Sequence, residues 1–204
     1  MTEKEWTDGE IVEQVRQGDR KAFSTLVRRH QKALLRMSYR FMKDMDAAED
    51  VVQDAFIKAF ERLSSFESRS SFKSWLFQIA INTAKNKLRD RSHDMSDIDD
   101  VPLAVMARAE NELVQNAVAK LIQKHVEALP FKQRTALVLR VYEDLSFKEI
   151  AEIMECPYDT AKANYRHALM RLKEELSAHQ DLERWSEDYG GIFMEMSRVA
   201  EVES

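Results

Sequence analysis

Apolar residues recur at intervals of three and four positions in two blocks of the chain, residues 1–91 and 113–176. This repeat predicts amphipathic helices, because it places the apolar side chains on one helix face. The clearest stripes of the first block are Val52, Phe56, Ala59, Phe60 and Leu63, then Leu76, Ile79, Ala80, Thr83 and Leu88. No strand pattern is evident, and four glycines and three prolines supply few turn residues. An all-α fold is therefore predicted.

Two helix starts carry the signature of a capping box, in which a side chain and a glutamate three residues later satisfy exposed N–H groups. Asp46 pairs with Glu49 in the first block, and Ser146 pairs with Glu149 in the second. The second start opens a predicted helix-turn-helix, whose turn falls at Cys156-Pro157. The residues expected to face inward there are Ile150, Ala151, Met154, Ala161, Tyr165, Ala168, Leu169 and Leu172.

Acidic segments separate the two blocks and follow them. Residues 92–112 begin with SHDMSDIDDVP, which is aperiodic and acidic, so a flexible acidic linker is predicted between two small helical domains, 1–91 and 113–176. Residues 177–204 form an acidic tail that contains an apolar cluster, Ile192 to Met196. For this tail a frayed terminus is slightly favoured over a segment that folds back on basic surfaces or contacts a regulator.

The net charge of −5 is unevenly distributed over the 204 residues. Residues 92–112 and 177–204 each have a net charge of −5, whereas residues 1–91 have +4 and residues 113–176 have +1. Nucleic-acid binding depends on a local basic patch rather than on the charge of the whole chain. The overall acidity therefore does not exclude a nucleic-acid partner.

Two consecutive predicted helices have opposite electrical character. Asp44 to Glu61 holds six acids and one base, with Asp50, Gln53 and Asp54 on the polar face, which suits a protein partner with basic groups. Phe72 to Arg91 holds five bases and one acid. The combination predicts an adaptor that grips a protein and a nucleic acid at once.

The second of these helices carries an outer stripe with the composition of a single-strand binding surface, since bases stack on aromatic rings while cations hold phosphates. The stripe comprises Trp75, Gln78, Asn82, Lys85 and Arg89, with Phe72 one turn before it. Phe72 and Trp75 could equally belong to the core, and the polar members could form a solvated face.

The second helix of the helix-turn-helix would enter the major groove with its N-terminal residues at the base edges. Those residues are Asp159, Thr160, Lys162, Ala163, Asn164 and Arg166. Asn pairs with adenine, and Arg or Lys pairs with guanine or phosphate. A helical hairpin in a bundle that does not bind DNA is the alternative interpretation.

Features of other protein classes are missing from the sequence. The five histidines have no metal-ligand spacing, and no glycine-rich phosphate loop occurs, so neither a metal nor another cofactor is expected and an enzyme is disfavoured. One cysteine, Cys156, fits a reducing cytoplasm. The N-terminus lacks a secretory pattern, and no apolar run approaches the roughly 18 residues of a membrane span. The sequence therefore predicts a cytoplasmic protein that is not itself a membrane protein.

Five sequence blocks resemble the extracytoplasmic-function (ECF) group of bacterial RNA polymerase sigma factors, in the sigma-70 family. The resemblance covers about residues 7–176 and includes GDRKAF, AAEDVVQDAFIKAF, FKSWLFQIAINTAKNKL, ALPFKQRTALVLR and LSFKEIAEIMECP, in that order. It implies an alternative sigma factor with sigma regions 2 and 4, which binds core RNA polymerase and promoter DNA and starts transcription of a stress-type regulon. It also implies an anti-sigma factor that sandwiches the two domains.

The resemblance assigns roles to individual residues. Asp50, Gln53 and Asp54 match the helix that docks on the clamp of core polymerase. The loop Ser64 to Ser74 and the following helix match the part that melts the −10 element and reads it as single strand. The residues implied there are Phe72, Trp75, Asn82, Lys85 and Arg89, and those implied for the −35 duplex are Thr160, Lys162, Asn164 and Arg166.

Two features depart from the family pattern. Asn164, His167 and Leu169 stand where the family often has arginines along the recognition helix, so the distal element or its contacts should differ. The tail after Leu176 has no counterpart in the short family core. A stand-alone helix-turn-helix regulator would need no acidic docking helix and would bind duplex DNA alone. A module that only sequesters partners would lack affinity for single strands.

Overall fold

The computed structural model describes residues 6–67, 70–94 and 121–177. Its helices in chain order are α1 (Asp8–Arg16), α2 (Phe23–Met42), α3 (Met45–Glu61), α4 (Phe72–Asp94), α5 (residues 121–127), α6 (Phe131–Val141), α7 (Phe147–Ile153) and α8 (Tyr158–Ser177). Two 3-10 turns, Arg20–Ala22 and Leu63–Ser65, precede α2 and follow α3. None of the described segments contains a strand, and the all-α prediction is confirmed.

The predicted domain boundaries stay predictions. Helix α4 continues to Asp94, three residues into the segment that was assigned to the linker. The rest of that linker, residues 95–112, and the tail beyond Ser177 lie outside the described residues.

The predicted start of α3 is wrong by two residues. The N-cap is Asp44, whose Oδ1 accepts a hydrogen bond from the Ala47 N–H over 2.7 Å, whereas Asp46 lies in the first turn. Asp44 has the extended backbone that an N-cap needs, and it follows Lys43, which ends α2 in the left-handed conformation. The chain therefore passes from α2 to α3 with only two residues between the helices.

The capping box at the start of α7 is confirmed. Ser146 Oγ accepts from the Glu149 N–H over 3.3 Å, and Glu149 Oε2 accepts from the Ser146 N–H over 2.9 Å. The hydrogen bonds from Ser146 also lower the pKa of Glu149 below its ordinary value. The same device, which the sequence analysis missed, starts α1, where Thr7 and Glu10 form the reciprocal pair.

Helices α2, α3 and α4 pack on one another around an apolar core. Small residues let α3 and α4 approach closely, since Ala55, Ala59 and Ala80 are completely buried. The inward stripe predicted for α4 is confirmed, with Leu88 partly buried and its other members buried. Phe60, which was expected to face inward on α3, is instead 38% exposed.

The second half contains the predicted helix-turn-helix, formed by α7 and α8. All of the residues expected to face inward are buried except Met154, which is partly buried. The turn contains Glu155 with φ of 49°, and the Cys156 N–H donates to the Ala151 carbonyl over 3.0 Å. Helix α8 also packs along α6, which completes the second core.

The two halves contact each other through α2 and the segment α5–α6. Lys43 Nζ lies 2.9 Å from Glu127 Oε1, and the Phe41 and Phe131 ring centroids are 5.4 Å apart. The Arg40 guanidinium stacks 3.9 Å from the centre of the Tyr142 ring. Helix α7 lies against α4, so the helix-turn-helix is next to the aromatic and basic helix.

Candidate polymerase and nucleic-acid interfaces

The acidic face of α3 is open to solvent. Asp50 and Gln53 are exposed and Asp54 is half-buried, which follows from their spacing of three and four residues on the side away from the core. Lys87 of α4 lies beside them, with its Nζ 3.0 Å from Asp54 Oδ2 and 3.8 Å from Asp50 Oδ2. This ion pair ties α4 to the acidic face.

The same face of α3 carries two exposed apolar side chains that the sequence analysis did not place on the surface. Ile57 is 56% exposed, and Phe60 touches Phe23 edge-on at 5.1 Å while remaining 38% exposed. Ile57 follows Gln53 by four positions, so it extends the same surface by one turn. An apolar pair bordered by carboxylates has the composition of a protein-binding patch rather than of a nucleic-acid site, because phosphates would be repelled.

The outer face of α4 brings together most of the residues predicted for the melted strand. Asn82, Lys85 and Arg89 are exposed. Trp75, about two helical turns before Asn82, is half-buried. Phe72 is different, because it is only 3% exposed. Its ring packs against Phe23, Phe66, Trp75 and His30 at centroid distances of 6.5, 6.0, 5.9 and 5.7 Å. A DNA contact by Phe72 stays a prediction, and its packing gives it a role in the core.

Trp75 lies at the border between this aromatic cluster and solvent. Its ring centroid is 4.9 Å from that of Phe66, and the two planes are tilted by 35°. One side of the indole is therefore supported by a buried phenyl ring, since Phe66 is only 5% exposed. A half-covered, supported aromatic ring next to exposed cations can stack an unpaired base.

The residues predicted for duplex reading lie in the first three turns of α8. Thr160, Lys162 and Arg166 are exposed, and Asn164 is half-buried, with its Nδ2 donating to the Thr160 carbonyl over 2.9 Å. The Lys162 ammonium lies 5.6 Å from the centre of the Tyr158 ring. Tyr158, which is 50% exposed at the first position of α8, is a further groove-facing candidate that no sequence signal singled out.

Other sites of chemistry are limited in the described residues. No group of three or more His, Cys, Asp or Glu side chains suited to a metal ion occurs among them. Cys156 is half-buried in the helix-turn-helix turn, and burial raises the pKa of its thiol. No helix within the described ranges combines the length and apolar character needed to cross a membrane.

Comparison with known proteins covers both halves. Residues 26–93 match the family model for sigma-70 region 2, and residues 119–172 match that for sigma-70 region 4. The chain is 37% identical over 167 residues to the RNA polymerase sigma-H factor of Pseudomonas aeruginosa. The aligned segment covers 76% of this chain and 86% of that protein. It is 38% identical over 168 residues to the ECF RNA polymerase sigma-E factor of Escherichia coli K12, with 77% and 87% covered.

A solved structure has the same fold. The sigma factor RpoE of Bartonella quintana, in complex with the anti-sigma factor NepR, matches with a TM-score of 0.61 and 28% identity, over 78% of this chain and 99% of that one. The chain belongs to the ECF group of the sigma-70 family. It is an alternative sigma factor of transcription initiation, and a stand-alone helix-turn-helix regulator would not explain the match to region 2.

Proposed function

We propose that this sigma factor binds core RNA polymerase through the acidic face of α3, opens and reads the −10 element with α4, and reads the −35 duplex with α8. The observation that carries the proposal is the juxtaposition of α3 and α4. Asp54, on an acidic face with exposed apolar neighbours, is paired with Lys87 of the helix that presents Trp75 and Asn82. One rigid pair of helices thus offers a protein-binding face and a base-stacking face.

The docking surface comprises Asp50, Gln53 and Asp54 together with Ile57 and Phe60. Carboxylates on the rim steer a basic partner and fix its register, while the apolar side chains lose water on contact. The charges contribute little to folding, because exposed ion pairs are worth about 0–1 kcal/mol. The docking surface can therefore be altered without unfolding the bundle.

Charge reversal tests the docking. Asp50→Lys with Asp54→Lys should abolish binding to purified core polymerase in a pull-down, whereas Asp50→Asn with Asp54→Asn should weaken it less, because repulsion is absent. Glu174→Lys with Glu175→Lys changes the net charge equally at exposed positions of α8 and should leave binding intact. Parent-like affinity of the Asp50/Asp54 reversal would remove this face from the polymerase interface.

Promoter opening is assigned to Trp75, Asn82, Lys85 and Arg89. Trp75→Ala with Asn82→Ala should spare the closed complex and block strand opening, since a stacked base is worth on the order of 1–3 kcal/mol. Permanganate footprinting of thymines near the start site measures opening directly. The promoter can be taken from transcripts that appear after forced expression of the protein. Normal thymine reactivity with the double variant would make both residues bystanders.

The finer aspects of the function extend the same proposal. Opening is driven by the binding of flipped bases and requires no hydrolysis, so the protein has no enzymatic step of its own. It works in the cytoplasm, where polymerase and promoter are, and directs a stress-type regulon. An anti-sigma factor controls it, as the complex of the Bartonella relative with NepR supports. That partner would separate or cover the two halves until a signal arrives.

A further inference from the structure

Helix α1 lies outside the segment that matches sigma region 2, which begins at residue 26. It nevertheless contacts the 3-10 turn Leu63–Ser65, which opens the connection between α3 and α4. That connection joins the docking helix to the helix proposed to open the promoter. The side chains of α1 that reach the connection are therefore placed to influence promoter opening.

Arg16, the last residue of α1, binds the start of the connection from the side. Its Nε and Nη2 donate to the Leu63 carbonyl over 3.2 and 3.0 Å, and Nη2 also donates to the Phe66 carbonyl. Both carbonyls belong to buried residues, at 3% and 5% exposure. A guanidinium can serve two carbonyls from one plane, whereas a lysine ammonium offers no such fixed fork.

The backbone that Arg16 holds carries the ring that supports Trp75. Phe66 lies 4.9 Å from Trp75 and 6.0 Å edge-on from Phe72, so its position defines one wall of the aromatic cluster. The Phe66 N–H donates to the Leu63 carbonyl over 3.3 Å, so the same two residues form a closed turn. Arg16 thus reaches Trp75 through a single intermediate side chain.

The other end of α1 is anchored to α2, at a histidine that lies against the start of α4. His30 Nε2 donates to Asp8 Oδ2 over 2.7 Å, Arg29 binds the other carboxylate oxygen, and the His30 ring lies 5.7 Å from that of Phe72. His30 is only 7% exposed, so this contact is internal. Helix α1 consequently contacts the beginning of the connection directly, at Leu63, and reaches its end, at Phe72, only through His30.

We infer that Arg16 is a positioning residue for promoter opening, which holds Phe66 so that Trp75 presents a preformed stacking surface to a flipped base. The inference rests on the stacking role proposed above for Trp75. Preorganisation lowers the ordering cost that would otherwise accompany capture of the base. Arg16 itself does not need to touch DNA, because its guanidinium is occupied by the two carbonyls and lies 3.7 Å from Glu13.

The test compares Arg16→Gln, Arg16→Lys and a matched control, Arg20→Gln, which changes an exposed arginine in the neighbouring 3-10 turn. Each is assembled with core polymerase. Opening of the duplex promoter is followed by permanganate, and on a promoter with a pre-melted −10 region the rate of forming a heparin-resistant complex is measured instead. Arg16→Gln should open the duplex on the order of tenfold more slowly, equivalent to about 1.4 kcal/mol. Arg16→Lys should be slow as well, and Arg20→Gln should match the parent.

A second readout reports on Trp75 directly. With Trp6 and Trp185 replaced by Phe, the anisotropy and acrylamide quenching of Trp75 should show a more mobile and accessible indole in Arg16→Gln. Core affinity, closed-complex affinity and unfolding temperature are measured for each variant, and the values of Arg20→Gln serve as the reference. Pre-melting should not restore the parent rate fully, because the stacking surface is still disordered when the base arrives.

Several results would overturn the inference. Parent-like opening by Arg16→Gln excludes a positioning role, and full rescue by Arg16→Lys means that charge on DNA matters instead. If Arg16→Gln lowers core affinity, closed-complex affinity and the opening rate in equal proportion, Arg16 only stabilises the helical bundle. Trp75→Ala is the separate arm. If Trp75→Ala opens the promoter normally, both the stacking role of Trp75 and the positioning role of Arg16 are excluded. If Trp75→Ala opens it slowly while Arg16→Gln behaves like the parent, only the positioning role of Arg16 is excluded.

Discussion

Glu143 is a half-buried carboxylate at the contact between the two halves, and its Oε1 has no hydrogen-bond partner among the described residues. Burial raises the pKa of this carboxyl above its ordinary value, although Arg36, Lys73 and Arg40 act in the opposite direction. Its charged form is therefore disfavoured in the folded protein. Native proteins retain few such groups, because an unpaired buried acceptor costs free energy.

Replacing Glu143 should change the pH dependence of stability. A raised pKa means that the folded state binds the proton more tightly than the unfolded state, so stability falls as the pH rises from the ordinary value of 4.5 through the folded pKa. Glu143→Gln should gain unfolding temperature relative to the parent as the pH rises through this window, and little below it. Thermal melts measure this, with exposed Asp144→Asn as the control. An offset that is equal at all pH values would contradict the shift.

Asn164 is the residue of α8 with the most specific predicted contact. Asn164→Ala should relax base preference at one position of the distal element, because a bidentate pair gives about 1–3 kcal/mol of discrimination. The lost hydrogen bond to the Thr160 carbonyl is internal to the helix and should cost little stability. Selection from randomised distal sequences is the measurement. An unchanged motif would mean that Asn164 only completes the helix surface.

The limits of sequence prediction are visible in two phenylalanines. Phe60 was expected inward and is 38% exposed, while Phe72, for which a DNA contact and a core position were equally open, is 3% exposed. Both lie beside Phe23, at 5.1 and 6.5 Å. Spacing gives the direction of a side chain around its own helix, but the position of the neighbouring helix decides whether that direction is covered. Asp50, Gln53 and Asp54 posed no such problem, because strongly polar side chains at that spacing favour the solvent-exposed side of the helix.

At the scale of whole helices, the start of α3 shows a second limit. Asp44 and Asp46 are both acceptable N-caps by residue type, and the backbone of Lys43, which ends α2 with φ of 57°, decides in favour of Asp44. Asp144 lies two residues before Ser146 and is also an acceptable N-cap type, but its third following residue is Phe147, whereas that of Ser146 is Glu149, so the capping-box spacing favoured Ser146. The Thr7–Glu10 box of α1 is a further instance of the signature, whereas Asp46 and Glu49 match its spacing without forming the cap.

Helix α8 should act on DNA as one phosphate-binding element as well as a base reader. Lys162 and Arg166 are exposed on it and four residues apart, so both can reach one strand. Each phosphate contact contributes about −0.9 to the slope of log affinity against log salt. Replacing both residues by Gln should therefore flatten this slope by roughly two and weaken binding to all duplex sequences alike.

The comparison variant for that experiment is Lys173→Gln with Lys124→Gln, which removes the same charge at exposed positions outside the start of α8. Affinity for duplex promoter fragments at several salt concentrations provides the slopes. If both double variants flatten the slope equally, the general charge of the second half would account for the effect, and α8 would have no special share in phosphate binding.

On the scale of the whole molecule, the contact between the halves was beyond the reach of sequence analysis. Periodicity identifies apolar faces within each half, but the contact uses charged and aromatic side chains, such as Lys43 with Glu127 and Arg40 with Tyr142. None of these had been assigned a role. The face of α4 that carries Asn82 and Lys85 stays exposed although α7 packs against the same helix.

The closeness of the two halves should depend on a few weak interactions. The Arg40–Tyr142 stack contributes about 0.5–1 kcal/mol, and the Lys43–Glu127 pair about 0–1 kcal/mol. Glu127→Lys should therefore shift part of the population to an arrangement in which the two halves are further apart. The double variant Glu127→Lys with Tyr142→Ala should shift a larger part. Energy transfer between a donor dye on α3 and an acceptor on α8 would report the change as lower efficiency. The unfolding of each half should remain unchanged.

A charge swap separates a specific pair from a general effect of charge. Lys43→Glu with Glu127→Lys restores opposite charges at 2.9 Å in reversed order, so it should recover most of the energy transfer that either single variant loses. High salt should lower the parent toward the single variants, because screening acts on the same exposed pair. If the double swap transfers energy no better than the single variants, Lys43 and Glu127 are near neighbours without coupling. The halves would then be held by the Phe41–Phe131 contact and by the packing of α7 on α4.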